Sequence, residues 1–147
     1  MASLSVSLTV KDGFAAMDFY KEAFGAEIVY QLGTPETGLH HGEFKIGETL
    51  VYISGEAPEH HALARPDGQL SSSLLSIEVD DADAAFAKAV AAGAKVLSEP
   101  EDQFWGQRAA AVADPWGYRW GISHLIEEVS HEELTRRAME LFGGGAE

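Results

Sequence analysis

The sequence predicts an α+β fold: two tandem βαβββ modules forming a curved half-barrel sheet around a cavity, followed by a C-terminal helix. Three observations lead there. Residues 8–29, LTVKDGFAAMDFYKEAFGAEIV, can be laid on residues 77–97, IEVDDADAAFAKAVAAGAKVL, at an offset of 69 that becomes 68 after one deletion. Each copy is followed by three short strand-like segments. Ser130 with Glu133 three residues later then reads as a capping box opening one more helical stretch, in which Leu134, Ala138 and Leu141 recur at helical spacing.

In chain order, Val6, Leu8 and Val10 alternate with Ser5, Ser7 and Thr9, so the first segment is a strand whose apolar face looks toward a helix. Asp12 suits the start of that helix and Gly25 its end, where a left-handed residue closes the last turn. The second copy repeats the grammar: Val10 meets Val79, Asp12 meets Asp81, Ala15 and Ala16 meet Ala84 and Ala85, Gly25 meets Gly93, and Ala26 meets Ala94. Strands are expected at 26–31, 39–46 and 49–54 in the first half, and at 94–98, 108–113 and 118–123 in the second. These bounds give module one as 3–55 and module two as 73–124 within a single domain, 1–128. Residues 56–72, rich in Pro, Gly and His, form the linker and a candidate flap over the cavity. A helix covers 129–142, and 143–147 form a mobile tail.

Composition narrows the function classes. With 24 acidic residues against 10 basic ones, the 147-residue chain carries a net charge of −14, which repels phosphate backbones and anionic lipid surfaces. Neither nucleic acid nor a membrane is expected as a partner. Such acidity serves solubility first and attraction of cationic ligands second. The absence of cysteine excludes disulfides, zinc-thiolate sites and thiol catalysis. The N-terminus lacks a basic signal-peptide start, so a cytoplasmic location is expected. No phosphate loop, dinucleotide fingerprint or nucleophile elbow occurs.

The paired modules, the opening L-T-V-x-D, DFYKEAFGAE at 18–27 and DPWGYRWGISH at 114–124 resemble the vicinal oxygen chelate superfamily, the glyoxalase, bleomycin-resistance and dioxygenase fold. D-Q-F-x-G-x-R at 102–108, D-P-x-G-x-x-W at 114–120 and E-E-L-x-R-R at 132–137 are similar to its PhnB-like branch. The resemblance implies a homodimer and one divalent metal held by His and Glu from the first and fourth strands of each module. Counted from the shared anchors, those ligand positions fall on Ser5, Tyr52, Leu74 and Gly121. Serine, tyrosine, leucine and glycine do not supply the carboxylate and imidazole set that such a cation needs. No metal and no cofactor are therefore expected.

Strand alternation assigns the cavity lining instead. It places Ser5, Ser7 and Thr9, then Leu50, Tyr52 and Ser54, then Leu74, Ser76 and Glu78, then Arg119, Gly121 and Ser123 on the concave side. Trp105 and Arg108 join them from the D-Q-F-x-G-x-R segment, with Arg108 also a partner for Asp102 or Asp114. The expected ligand-binding set is Ser5, Ser7, Tyr52, Leu74, Ser76, Glu78, Trp105, Arg108, Arg119 and Gly121. His41 and Glu43, with His124, form a candidate displaced metal site or acid–base pair. The expected function is a metal-free small-molecule-binding protein that sequesters a planar or cationic compound. The alternative is a lyase or isomerase of the same superfamily, metal-free or with relocated ligands.

Overall fold

The computed structural model describes residues 1–143. In chain order it contains β1 (Val6–Thr9), α1 (Gly13–Phe24), β2 (Glu27–Thr34), β3 (Gly38–Ile46), β4 (Thr49–Ser54), β5 (Leu74–Glu78), α2 (Ala82–Ala91), β6 (Lys95–Asp102), β7 (Gln107–Ala113), β8 (Arg119–Leu125) and α3 (His131–Ala138). The α+β class and the two βαβββ units are as the repeat predicts. The strands form two four-stranded sheets with matching orders, β1-β4-β3-β2 and β5-β8-β7-β6. In each sheet the first strand runs parallel to the fourth and the hairpin pairs are antiparallel.

The repeat is physical as well as textual. The Val10 amide donates to the Ser54 carbonyl at 3.0 Å, and 69 residues on the Val79 amide donates to the Ser123 carbonyl at 2.8 Å. Asp12 caps α1 by accepting from the Ala15 amide, and Asp81 caps α2 by accepting from the Ala84 amide. Gly25 ends α1 at φ 68°, and Gly93 follows α2 at φ 114°, conformations that a side chain would strain.

One core serves both modules. Leu8, Val10, Phe44, Val51 and Ile53 from the first sheet and Val112, Trp120 and Ile122 from the second are buried together, with Ala16, Met17, Tyr20 and Ala89 of the two helices among them. The helices lie between the sheets, and α1 packs against α2. Tyr20 stacks on Phe44 of the first sheet, with ring centroids 5.1 Å apart, and touches Trp120 of the second at 5.4 Å. The apolar faces being spent on this shared interior, the opposite face of each sheet looks outward, away from the other. On these outward faces Tyr30, Leu74, Ser76 and Glu78 are exposed, while Gly121 and Ser123 are buried.

Three boundaries depart from expectation. β2 continues past Gln31 to Thr34, and β6 continues past Ser98 to Asp102 with Pro100 inside it, which an edge strand tolerates because one side needs no amide donor. The C-terminal helix is α-helical only over His131–Ala138 and widens into a single π turn at Met139–Gly143. Half of its capping box forms. Ser130 accepts from the Glu133 amide, but the Glu133 carboxylate turns to Arg136 and Arg137 instead of back to the cap. Of the expected tail 143–147, Gly143 belongs to the π turn and residues 144–147 lie outside the described residues.

The linker is anchored to the second module. It makes a short 3₁₀ turn at Pro58–His60 and then packs on the turn before β8, where the Ser71 amide donates to the Gly117 carbonyl at 2.7 Å. Arg65 stacks over the Tyr118 ring at 5.3 Å. These bonds bind the segment to the D-P-W-G turn.

Candidate functional site

On the first sheet, cross-strand pairing sets Ser7 beside Tyr52, Tyr52 beside Glu43 and Glu43 beside Tyr30, so one row of the outward face reads Ser-Tyr-Glu-Tyr. His41 sits two residues from Glu43 on β3. Its ring lies between the two tyrosines, 5.7 Å from Tyr52 and 6.4 Å from Tyr30 by centroid. His41 Nε2 is 3.8 Å from Glu43 Oε2, beyond hydrogen-bond range. Two side-chain classes thus share a patch: three rings make a floor, and one carboxylate, 25% exposed, stands in it.

The second sheet offers a smoother surface. Ser76 pairs with Gly121 and Gly121 with Ala111, while Glu78 pairs with Ser123 and Ser123 with Ala109. Small residues here keep the face shallow, and a Cβ on Gly121 would come within 2.9 Å of Ser76 Oγ. Leu74, Ser76 and Glu78 are exposed. They also line a groove of about 440 Å³ at the edge of the sheets, together with Val6, Glu48, Thr49, Val51 and Trp120.

Arg108, Arg119 and Trp105 have partners within the fold. Arg108 does not reach Asp114; its guanidinium clasps Asp83 at 2.7 and 2.9 Å and Asp102 at 3.0 Å, locking β7 to the start of α2 and to β6. Those bonds hold Asp83 below the usual carboxylate range. Arg119 donates to the Ser71 carbonyl at 2.7 Å and to the Ser72 carbonyl at 2.8 Å, so it fastens the linker. Trp105 stands in the turn between β6 and β7, 41% exposed, with its indole N–H donating to Gln107 Oε1 at 3.1 Å and its ring edge-on to Phe104. Ser5 precedes β1 and is exposed.

A superfamily metal does not fit this chain. Leu74 and Gly121 carry no ligating atom, and Ser5 and Tyr52 offer only hydroxyls in place of the carboxylates and imidazoles that such a cation needs. The displaced trio does not assemble either. His124 Nδ1 accepts the Ala82 amide at 2.8 Å, which commits the ring to the first turn of α2 and takes it out of reach of His41 and Glu43. Among the described residues no three His, Asp or Glu side chains converge as a metal site. His41 and Glu43 remain as a pair.

Two important residues escape sequence reasoning. Tyr30 joins the site only because the pairing slips between Ile28 and Tyr30, a bulge that turns its ring to the outward face. Alternation cannot reveal a bulge. Asp114 is the other: its Oδ2 accepts from the Tyr20 hydroxyl at 2.6 Å and from Trp120 Nε1 at 2.9 Å, and its Oδ1 accepts from the Trp116 and Tyr118 amides. The D-P-x-G signature marked the turn but not its partner on α1.

The sequence profile of the Glyoxalase/Bleomycin resistance protein/Dioxygenase superfamily matches residues 3–122. An uncharacterised protein of Mycobacterium bovis is 33% identical over 97% of this chain and 95% of its own length. Three solved structures are similar in fold. TioX from Micromonospora sp. ML1 matches at a TM-score of 0.67 and 22% identity, over 85% of this chain and 99% of that one. A glyoxalase/bleomycin resistance protein/dioxygenase family enzyme from Burkholderia phytofirmans PsJN matches at 0.68 and 23%, over 82% and 96%. The fosfomycin resistance protein FosX from Listeria monocytogenes matches at 0.64 and 17%, over 91% and 98%.

Proposed function

The chain belongs to the Glyoxalase/Bleomycin resistance protein/Dioxygenase superfamily, and from that premise we propose that it is a metal-free small-molecule-binding protein that sequesters a planar or cationic compound. One observation carries the reading. The positions at which the superfamily resemblance implies metal ligands hold Ser5, Tyr52, Leu74 and Gly121, while the sheet faces around them are open and lined by small polar and aromatic side chains. A surface of that kind supplies flat contact area and a few orienting groups, which is what small-molecule sites use.

A second copy of the chain completes the cavity. Within one chain the two concave faces point apart, and Tyr30, Leu32 and Leu74 on those strands are 47%, 49% and 48% exposed respectively. Strands β1, β2, β5 and β6 are sheet edges with unpaired backbone groups. Laying the first sheet of one copy against the second sheet of another would cover these residues and enclose Ser7, Tyr52, Ser76, Glu78 and Gly121 together. Trp105 stands at the rim of that enclosure in this reading, Arg108 and Arg119 serve as its frame, and Ser5 closes one end. The protein is thus read as a cytoplasmic homodimer with residues 1–128 as one domain. The motifs at 102–108 and 132–137 support the PhnB-like branch.

The alternative reading is a metal-free lyase or isomerase, and what favours it is the His41 and Glu43 pair beside Tyr52, at 3.8 Å and within reach of a shared proton carrier. Native mass spectrometry with elemental analysis tests the main reading. The expected result is a mass twice 15.8 kDa carrying a small-molecule adduct and no stoichiometric metal. About one tightly held divalent ion per chain, or a monomer at every concentration, overturns it.

A further inference from the structure

Resting on that small-molecule reading, we infer that the ligand carries its charge as a cation: the aromatic floor of Tyr30, His41 and Tyr52 on the first sheet takes a flat cationic ring, with Glu43 as its counterion. The reasoning begins with the charged groups that could face a ligand. Arg108 is already paired with two carboxylates, Asp83 and Asp102, and Arg119 spends its Nε and Nη2 on the carbonyls of Ser71 and Ser72, so both guanidinium groups are engaged within the fold. Glu43 is the reverse case. Three quarters of its side chain is covered, yet among the described residues no lysine or arginine pairs with it, and His41 at 3.8 Å is its nearest ionic neighbour.

A carboxylate 25% exposed and without a lysine or arginine partner is available to pair with an incoming cation. Here the missing partner has a place to lie. The three rings run in sequence along the outward face, with centroid steps of 6.4 and 5.7 Å from Tyr30 through His41 to Tyr52 and successive planes tilted by 50° and 31°, a stepped floor whose length spans a fused two- or three-ring ligand. Ring faces attract cations through their quadrupole, so floor and counterion select the same charge. Lys45, two residues along β3 and on the same face, sits opposite Glu27 in the strand register, so this neighbouring row carries one charge of each sign. The net charge of −14 raises the local concentration of any cation but gives no preference for this face.

The test uses one flat skeleton in three charge states: 10-methylacridinium, neutral acridine at pH 8 and acridine-9-carboxylate, titrated calorimetrically into the full-length protein at 150 mM salt. The cation should bind about tenfold or more tightly than the neutral ring, and the anion weakest. Glu43→Gln should abolish that preference while leaving neutral acridine unchanged. Glu99→Gln, which removes the same charge from β6 in the other module, should leave the preference intact. Tyr30→Ala should weaken all the probes that bind. Equal affinity for cation and neutral ring, or a preference that survives Glu43→Gln, overturns the inference while the small-molecule reading stands. A preference lost equally in Glu99→Gln assigns it to the overall field and also overturns it. If no acridine binds, the inference falls, and the native mass spectrum decides the broader reading by itself.

Discussion

The Tyr20 hydroxyl donates to Asp114 Oδ2 at 2.6 Å, across 94 residues of sequence, and so ties the helix of the first module to the turn that begins the last strand of the second. Asp114 is 5% exposed and accepts four hydrogen bonds, two from side chains and two from amides. Burial, with Asp114 beside it, holds the Tyr20 phenol well above its ordinary range, so it remains a donor across the working pH span. With the packing of α1 on α2 and of Phe24 on Trp120, this contact sets the two modules against each other.

Tyr20→Phe keeps the ring that stacks on Phe44 and deletes only the donor. A buried carboxylate short of one partner costs about 1–3 kcal/mol. Urea unfolding should show that loss with an unchanged slope. A stability equal to wild type would mean that the bond between the modules contributes nothing.

Asp114 also gives the protein a pH signature. Burial raises its carboxyl above the ordinary 3.8, with the donated hydrogen bonds opposing the shift. The folded state then holds this proton more tightly than the unfolded one, so the stability from this group is greatest below 3.8 and is lost as pH rises through the raised value. The margin of wild type over Asp114→Asn should therefore shrink as pH is raised from that acid limit to neutrality. A margin that instead widens would show the carboxyl to be held below its ordinary value.

Arg119 was expected to face the ligand, and its bonds to Ser71 and Ser72 give a different outcome for its removal. Arg119→Ala should speed proteolytic cutting within 56–72 several-fold and leave ligand affinity nearly unchanged. Gly117→Ala should act on the same segment more severely. At φ 90° a Cβ there is strained and would collide with the Gln69 carbonyl. Protease resistance equal to wild type in both variants would place the linker's anchorage elsewhere.

Tyr52→Ala should weaken binding of a confirmed flat ligand by about 1–3 kcal/mol, as loss of an aromatic anchor commonly does. Trp105→Ala, a change at the rim, should cost less than Tyr52→Ala and should leave folding intact. Calorimetric titration beside a thermal melt separates the two effects. A Trp105 loss larger than that of Tyr52 would move the centre of the site to the turn between β6 and β7.

The sequence by itself determined the modular plan. The offset of 69 set both helices, their Asp12 and Asp81 caps, the glycine exits at Gly25 and Gly93 and the inward parity of Val10, Ile53, Trp120 and Ile122, because those depend on local hydrogen bonds and on a side-chain period of two. It also carried the donor chemistry at Ser5, Tyr52, Leu74 and Gly121, since residue type alone fixes what can ligate. Only the tertiary structure decided what the two modules do to each other. Alternation says which residues leave the core but not whether two concave faces meet or turn apart. That choice rests on long-range contacts such as Tyr20 with Asp114 and Phe24 with Trp120, whose ring centroids are 4.9 Å apart. Tyr30 reached the candidate site through a bulge, and Arg108, Arg119 and His124 took partners 25 to 48 residues away, at Asp83, Ser71 and Ala82. Long side chains take whichever partner folding brings near, and no local period encodes that distance.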